Sequence, residues 1–466
     1  MSYVGAAVSL AHGQGLRIPF APWNSTDSTS HLKAFPPGYS LLLSIPIRFG
    51  ADALQSGRVI QAVAAAVTVT VVATLAMQLA GPWAALLAAL LLVMTPALVE
   101  DHLSILSEPL YLMLVALLLM LLLRRGESAL VHGTVAALGL SVRYLGGSLV
   151  AAAVVWALLQ GRDWPHRFKR AAMAALPAAI LGALWILDAR GGAGRPPASE
   201  LIADWHLGGA LGELREAVVL WLGPGPEDAT WVTALALLSA MLGTLLLYRA
   251  VRQIEWPRWR TDSLPALWLA AAAIIVCHLG VLLFSRIFVG HEIPFDGRLL
   301  SPLIVVMELL FAVTLAGFWP TWGRAARAGV LIVLLLWLFG AQGWDRERME
   351  DAHTNGWDYN GLVWRDSPTL AWARQASGRT LFTNHPVPVW FHAGRVSRDL
   401  PQSVAADSVA AFARALEAGH GAIVFLADTS WQPGVPLDSL IAAVPLRVVA
   451  RFADGAIYER PLAVGH

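Results

Sequence analysis

Long apolar stretches recur along most of this chain, and short polar segments separate them. A helix needs about 20 predominantly apolar residues to cross the hydrocarbon core of a bilayer. Such stretches lie at residues 59–80, 82–98, 108–124, 129–143, 146–160, 170–189, 231–248, 264–286, 299–319 and 328–344. With 57% hydrophobic and only 14% charged residues, the chain does not suit a soluble globular fold. The sequence therefore predicts an α-helical polytopic membrane protein with about ten transmembrane helices.

The charge balance and the cysteine content exclude several kinds of partner and cofactor. The formal net charge is +1 and the arginines are scattered among short loops, so the concentrated basic surface that binds a nucleic-acid backbone is missing. Cys277 is the single cysteine, which excludes an intramolecular disulfide and a thiolate metal site. We therefore expect membrane lipids and small molecules as partners, and no nucleic acid.

Basic residues predict the orientation of the helices, because cytoplasmic loops carry an excess of lysine and arginine. They fall in alternate short loops, at Arg124, Arg125, Arg162, Arg167, Lys169, Arg170, Arg249, Arg252, Arg258, Arg260, Arg324 and Arg327. The N-terminal stretch, residues 100–108, 190–230 and 291–298, and the tail after residue 344 then lie on the other side. This pattern predicts a multi-pass protein of the cytoplasmic (inner) membrane with an extracytoplasmic tail.

The sequence changes character after residue 344. Residues 380–383, 421–426 and 446–452 have the composition of strands, and residues 404–418 have a helical pattern. Ser367 before Pro368 is typical of a helix N-cap followed by a first-turn proline. We therefore predict a transmembrane domain at residues 1–344 and a small C-terminal α/β extracytoplasmic domain at residues 345–466.

An acidic segment at residues 100–109 leads into the next apolar stretch. Glu108 stands directly before Pro109, which suits the first turn of a helix. A carboxylate beside hydrocarbon is costly to desolvate, so Glu108 is a candidate catalytic or metal-binding group, although a helix N-terminus also favours an acid there. Asp101 and His102 are weaker candidates for holding a divalent cation with it, and a solvated loop explains them equally well.

Two sites on the predicted outer side combine an arginine with the edge of an apolar stretch. Arg143 and a pair of glycines interrupt residues 131–160, which predicts a helical hairpin with a tight turn. Arg143 would either hold a phosphate through two parallel hydrogen bonds or extend to the membrane interface. Asp296 and Arg298 precede another apolar stretch and also suit an anionic ligand.

Three ionisable residues, Glu308, His132 and His278, fall inside apolar stretches, where a polar side chain is costly unless it is paired. Each is either hydrogen-bonded to a neighbouring helix or part of a pathway through the membrane. We favour the first interpretation for Glu308 and assign no role to the histidines. Residues 36–46 are too short to span a bilayer and predict an interfacial helix, with plain packing in the membrane as the alternative.

Short motifs in a particular order carry a resemblance to a known superfamily. They are the segments from Tyr3 to Leu16 and from Phe35 to Tyr39, then Ser107-Glu108-Pro109, Arg143-Tyr144 and the segment from Arg298 to Pro302. Over most of its length the chain resembles the polytopic glycosyltransferases of the C-type fold, which include protein mannosyltransferases and bacterial aminoarabinose transferase. The resemblance implies transfer of a sugar from a polyprenyl-phosphate carrier on the outer face of the membrane.

The resemblance also implies roles for individual residues. Glu108, in its Ser-Glu-Pro motif, would be the base that deprotonates the acceptor. Arg143, Tyr144, Asp296 and Arg298 would bind the substrate, and the two arginines would stabilise the charge of the departing phosphate. The polyprenyl-phosphate sugar would be the donor substrate, and a divalent metal is an additional candidate cofactor.

The chain departs from this superfamily at its N-terminus. Such proteins have an apolar first span and an acidic residue before the segment that matches Tyr3 to Leu16, and Met1 stands where these should end. We therefore expect either a start site placed too far downstream or a degenerate member of impaired activity. Asp27 and His31 lie in the same N-terminal region, but nothing aligns them with the absent acid.

Three functions are compatible with these observations. A glycosyltransferase that moves a hexose or a pentose to a lipid, glycan or protein acceptor explains the order of the motifs. A transporter or flippase would use Glu308 and the intramembrane histidines as pathway residues, but the hydropathy shows no inverted repeat. An inactive membrane scaffold would bind a partner through its outer domain. We predict the glycosyltransferase.

Overall fold

The computed structural model describes residues 2–32, 35–124, 126–191, 207–225, 230–255, 258–288, 293–427 and 435–461. The chain divides into two compact units. The first, called here the α/β unit, consists of Met1–Ser56 together with Glu350–His466. The second, called the helical unit, is Gly57–Met349.

The described residues of the helical unit form twelve α-helices, of which the first begins and the last ends in the α/β unit. They are α3 (Ala53–Ala80), α4 (Pro82–Met94), α5 (Pro96–Leu103), α6 (Glu108–Leu123), α7 (Ala129–Val142), α8 (Gly147–Gln160), α9 (Trp164–Gly191), α10 (Leu207–Leu222), α11 (Thr230–Gln253), α12 (Ser263–Phe288), α13 (Gly297–Phe318) and α14 (Arg324–Thr354).

Six helical segments among the described residues are long and apolar enough to cross a membrane. They are Ala53–Ala80, Trp164–Trp185, Trp231–Gln253, Ser263–Phe288, Gly297–Thr321 and Arg324–Thr354. The count reaches seven if the bent pair α4 and α5 forms one span, while α6, α7 and α8 are shorter apolar helices. A mostly helical fold with several apolar spans is therefore confirmed, and the count of about ten stays a prediction.

Helix α13 lies at the centre of the helical unit. In its most apolar window 83% of the residues are buried inside the protein, against at most 39% for the other five long spans. A span that is apolar and covered on all sides is expected at the middle of a bundle. The side chains of α13 are therefore held in place by the surrounding helices along most of its length.

The segment before Glu108 differs from the predicted loop. Pro96 stands at the start of a helix, and Thr95 before it is extended (φ −79°, ψ 119°), because a residue that precedes proline avoids the α-helical region. The chain therefore breaks after α4 and turns by 54° into α5, which contains residues 100–103. The interpretation of Asp101 as part of a solvated loop is wrong, since this residue is helical and only 2% exposed.

The predicted hairpin at residues 131–160 is confirmed as α7, a single 3-10 turn at Tyr144–Gly146, and α8. Arg143 ends α7 in an extended conformation (φ −144°, ψ 142°). Gly146 is needed for close packing, because a Cβ atom there would lie 2.2 Å from the carbonyl carbon of Gly139. The turn that presents Arg143 thus depends on a contact that only glycine allows.

The α/β unit contains seven helices and all eight strands of the described residues. They are α1 (Ser2–Ala11), β1 (Arg17–Ile18), β2 (Phe20–Ala21), β3 (Ser30–His31), α2 (Gly38–Arg48), α15 (Leu362–Arg365), α16 (Pro368–Gln375), β4 (Leu381–Thr383), α17 (Pro386–Ala393), β5 (Ser397–Asp399), α18 (Ala406–Ala418), β6 (Ala422–Leu426), α19 (Leu437–Ala443), β7 (Arg447–Phe452) and β8 (Gly455–Glu459).

A six-stranded sheet in the order β2-β5-β4-β6-β8-β7 forms the middle of this unit. The first four of these strands are parallel, with Phe382 opposite both Arg398 and Ile423, and β8 is antiparallel to β6 and β7. Because successive side chains alternate between the faces of a sheet, Leu381 and Phe382 belong to different cores. Helices α16 and α17 cover one face, and α18 and α19 cover the other.

The strands predicted at residues 380–383, 421–426 and 446–452 are confirmed as β4, β6 and β7, and the predicted helix at 404–418 is α18. Ser367 caps α16 by accepting a hydrogen bond from the backbone N–H of Leu370 at 3.0 Å. Residues 20–21 were not expected to join this sheet. The predicted boundary between residues 344 and 345 and the extracytoplasmic location of the tail stay predictions.

We predict that Gly146→Ala destabilises the folded protein by about 1–3 kcal/mol, because the added methyl group overlaps backbone atoms of α7. Thermal unfolding of the purified chain in lipid nanodiscs measures the effect. Gly147→Ala is the matched control, since a Cβ atom there meets nothing within 4 Å. Equal unfolding temperatures for the two variants would show that the turn does not need this close contact.

Candidate functional site

Glu108 is the first residue of α6 and carries the acid of the Ser-Glu-Pro motif. Its side chain is only 4% exposed, and the rest of the helix is apolar. The carboxylate is therefore buried in apolar surroundings. The hydroxyl of Ser107 lies 3.4 Å from Oε2, and the helix N-terminus adds a favourable potential for negative charge. A buried carboxylate in these surroundings still needs cations close by.

Two arginines supply those cations. Arg143, at the end of α7, forms an ion pair with Glu108, and the Nε of Arg298, in the first turn of α13, lies 3.5 Å from Oε1 of the same carboxylate. We call these three residues the charged triad. It joins the ends of the consecutive helices α6 and α7 to the start of α13, more than 150 residues later in the sequence. The two guanidinium groups of the triad carry planar sets of N–H donors, which suit an anion.

Asp296 stands at the N-terminus of α13 and contacts Arg298. Its Oδ1 accepts a hydrogen bond from the backbone N–H of Leu299 at 2.9 Å, so it is the N-cap of the helix. Its Oδ2 lies 3.6 Å from Nη2 of Arg298. Asp296 therefore contacts Arg298 through a different nitrogen from the one that faces Glu108, and Arg298 keeps 44% of its side chain exposed.

A second ion pair holds the segment that precedes Asp296. Arg286, near the end of α12, donates to Glu213 of α10 at 2.9 Å and also to the carbonyl oxygen of Ile293. The same Oε2 of Glu213 accepts the backbone N–H of Phe295 at 2.8 Å. The sequence did not point to Glu213 or Arg286, because only the folded chain brings α10 beside the segment before α13.

Asp101 and His102, the weaker candidates for a metal site, differ in their surroundings. Asp101 is buried within range of the charges of Glu108, Arg143 and Arg298, and its Oδ2 has no hydrogen-bond partner among the described residues. His102 bonds its own helix, with Nδ1 2.5 Å from the carbonyl oxygen of Leu98. No group of three or more His, Cys, Asp or Glu residues in the described part of the chain could hold a metal ion.

Tyr144 directly follows Arg143 in the hairpin turn. It is 52% exposed, and its ring meets that of Trp185 edge to face with 6.1 Å between the centroids. In the N-terminal region, Asp27 forms an ion pair with Arg17 at 2.8 Å. Asp27 therefore has a local partner within the α/β unit, and His31 lies in strand β3.

A chain of buried hydrogen bonds connects the elements that carry the charged triad. The hydroxyl of Tyr111, on α6, lies 3.1 Å from the carbonyl oxygen of Leu145 and 3.2 Å from the hydroxyl of Ser148. Ser148 lies 3.3 Å from Nδ1 of His278, whose Nε2 lies 2.9 Å from the carbonyl oxygen of Leu299. Since a carbonyl only accepts, the proton of the neutral ring is on Nε2, and Nδ1 accepts from Ser148.

This series of hydrogen bonds ties together the backbone segments that carry the triad. Tyr111 is three residues after Glu108, Leu145 is two after Arg143, and Leu299 follows Arg298. Satisfied polar groups inside an apolar bundle favour one arrangement of the helices, because any shift leaves a buried group unpaired. We call Tyr111, Ser148 and His278 the polar relay.

The other intramembrane polar residues also bond between helices, as predicted for Glu308. The Nε2 of His132 lies 3.1 Å from the carbonyl oxygen of Leu121, which links α7 to α6. Oε1 of Glu308 accepts from the hydroxyl of Thr95 and, at 3.3 Å, from the indole N–H of Trp221. These contacts satisfy one polar atom of each side chain, whereas Nδ1 of His132 and Oε2 of Glu308 have no hydrogen-bond partner among the described residues.

We predict that Ser148→Ala lowers the free energy of unfolding by about 1–3 kcal/mol, because it leaves Nδ1 of His278 without a partner and removes one of the two contacts of the Tyr111 hydroxyl. Thermal unfolding in nanodiscs measures this loss. Ser141→Ala is the matched control, since the hydroxyl of Ser141 is exposed and bonds its own helix at 2.7 Å. A Ser148→Ala variant as stable as the control would contradict a structural role for the relay.

The chain is similar to one protein family in sequence and to several solved structures in fold. Residues 34–187, which are 154 of the 466 residues, match the family described as dolichyl-phosphate-mannose-protein mannosyltransferase. No curated protein matches the sequence.

Two kinds of solved structure share the fold. ArnT from Cupriavidus metallidurans, bound to undecaprenyl phosphate, has a TM-score of 0.57 and 14% identity, and the match covers 100% of this chain and 94% of that one. The archaeal oligosaccharyltransferase AglB from Archaeoglobus fulgidus, in complex with an inhibitory peptide and a dolichol-phosphate, has a TM-score of 0.54 and 11% identity over 91% of this chain and 65% of that one. At such identities the likeness is one of fold. The chain therefore has the C-type glycosyltransferase fold, and its resemblance to the polytopic transferases of that superfamily is confirmed.

Proposed function

We propose that this chain is a membrane glycosyltransferase that moves a hexose or a pentose from a polyprenyl-phosphate-linked donor to a lipid, glycan or protein acceptor. The observation that carries the proposal is the charged triad, a buried carboxylate between two arginines at the ends of apolar helices. The likeness in fold to ArnT bound to undecaprenyl phosphate and to AglB with a dolichol-phosphate supports a lipid-linked donor.

The arginines of the triad would bind the phosphate of the donor. Arg143 and Arg298 each offer a planar set of N–H donors that matches a phosphate. In the free protein both arginines face the carboxylate of Glu108. A donor phosphate competes for the same guanidinium groups, so its arrival weakens the ion pairs of Glu108.

The competition gives Glu108 its role in the reaction. When the phosphate engages these arginines, the carboxylate of Glu108 is released from its ion pairs and can accept the proton of the acceptor hydroxyl. The acceptor oxygen then forms a bond to the anomeric carbon while the bond from that carbon to the phosphate oxygen breaks. The arginines stabilise the polyprenyl phosphate that leaves.

The neighbouring residues complete the proposed site. Asp296 holds Arg298 in position through the contact at 3.6 Å. Tyr144 is half-exposed beside Arg143, and a sugar ring or an acceptor would pack on its face. Asp101 adds a second buried acid within range of both arginines.

The proposed location is the outer face of the cytoplasmic membrane, with the α/β unit outside. The distribution of lysine and arginine supports this location, since the basic loops alternate with the segments that carry the triad. A lipid-linked sugar presented at that face would meet Arg143 and Arg298 at the membrane edge.

We predict that Glu108→Gln lowers the rate of transfer by about 100-fold or more, because the amide cannot accept a proton from the acceptor. The assay follows transfer of radiolabelled sugar from polyprenyl-phosphate donors in membranes that contain the chain. Glu255→Gln makes the same chemical change at an acid that is 62% exposed, and it should leave transfer unchanged. Full transfer by Glu108→Gln would exclude Glu108 as the base.

A further inference from the structure

A cavity of 580 Å³ lies inside the helical unit, among α10, α11, α12, α13 and α14. Its walls are predominantly apolar side chains. A volume of this size is typical of sites for small molecules, in which a few polar groups among apolar walls decide what binds. The polar groups on these walls therefore indicate the chemistry of the ligand.

Glu308 is the one charged residue among the described residues that line this cavity. It is 3% exposed, and its Oε1 is already engaged by Thr95 and Trp221. Its Oε2 has no hydrogen-bond partner among the described residues, and the same is true of the hydroxyl of Thr314 on the same helix. The cavity therefore contains a buried carboxyl group with an acceptor oxygen still to be satisfied.

The surroundings of Glu308 favour a cation. The described lining residues include no Lys, Arg or His that could pair with it. They do include Trp221, Trp268 and Trp337, and the faces of indole rings attract positive charge. Trp221 donates to Glu308, so its ring is held beside the carboxyl group, and Trp337 donates to the backbone carbonyl oxygen of Trp221 at 2.8 Å.

Other ligands fit these groups less well. A hydrocarbon chain has no donor for Oε2 of Glu308, and an anion would be repelled by the carboxylate. A neutral alcohol could donate one hydrogen bond, but it brings no positive charge that would stabilise the ionised form of this buried carboxyl group. A protonated amine satisfies the hydrogen bond and the charge together.

We propose that this cavity binds an amphiphilic amine, with the ammonium group at Oε2 of Glu308 and the apolar body against the tryptophan and aliphatic walls. The site is separate from the charged triad, because Glu308 follows Arg298 by ten residues of α13, about 15 Å along the helix axis. It does not depend on the transfer reaction proposed above.

The test compares three ligands that share one ring system and differ in charge. They are 2-(1-naphthyl)ethylamine, 2-(1-naphthyl)ethanol and 1-naphthylacetate. Binding of the tritiated amine to the purified full chain in zwitterionic nanodiscs is measured by scintillation proximity, and the other two serve as competitors. We expect saturable binding of the amine, competition by the alcohol that is about tenfold weaker or more, and no competition by the carboxylate.

Glu308→Gln should weaken binding of the amine by about tenfold or more, since it removes the charge and keeps the shape. Glu255→Gln, at an exposed acid, is the matched control and should bind as the unchanged chain does. Trp268→Leu leaves Glu308 and its partners in place, and it should weaken the amine more than the alcohol even if Glu308→Gln fails to fold.

No saturable binding of the amine would overturn the proposal, as would an alcohol that binds equally well or a folded Glu308→Gln variant with unchanged affinity. The assay contains neither sugar donor nor acceptor. Its failure would therefore leave the proposed transferase untouched, and full transfer by Glu108→Gln would leave the amine site untouched.

Discussion

The burial of Glu108 between two arginines is the interaction on which the rest of the helical unit depends. A carboxylate removed from water in an apolar bundle is unstable unless positive charge lies within a few ångströms. Arg143 and Arg298 meet that requirement from the ends of two other helices. The same requirement makes the site suited to ligand binding. The arginines pair with the carboxylate of Glu108 in the free protein, and the proposed donor phosphate would compete for them.

The architecture of the helical unit holds these three charges at one place. The turn after α7 presents Arg143, and the cap and ion pairs before α13 present Arg298. The polar relay of Tyr111, Ser148 and His278 then links the backbone beside each of them. Buried polar networks of this kind specify one packing among the many that apolar helices would allow.

Much of this arrangement is predictable from the sequence, because it follows from local patterns. Hydropathy predicts the spans, the interruption at Arg143 predicts the hairpin, and strand composition predicts β4, β6 and β7. Local patterns do not reveal partners, so the relay and the ion pair of Glu213 with Arg286 were not foreseen. Helix α5, which begins at Pro96, occupies part of the expected loop, and Asp101 on it is buried. Strand β2, at residues 20–21, joins a sheet whose other strands all begin at residue 381 or later.

Binding of undecaprenyl phosphate to the Glu108→Gln variant tests the central claim most directly. If the donor phosphate and the carboxylate compete for Arg143 and Arg298, removal of the negative charge should tighten binding by about tenfold relative to the unchanged chain. The change would be measured at equilibrium in nanodiscs, at one ionic strength. Binding that is weaker or unchanged in Glu108→Gln would contradict the account, because the carboxylate and the phosphate would then not share the two arginines.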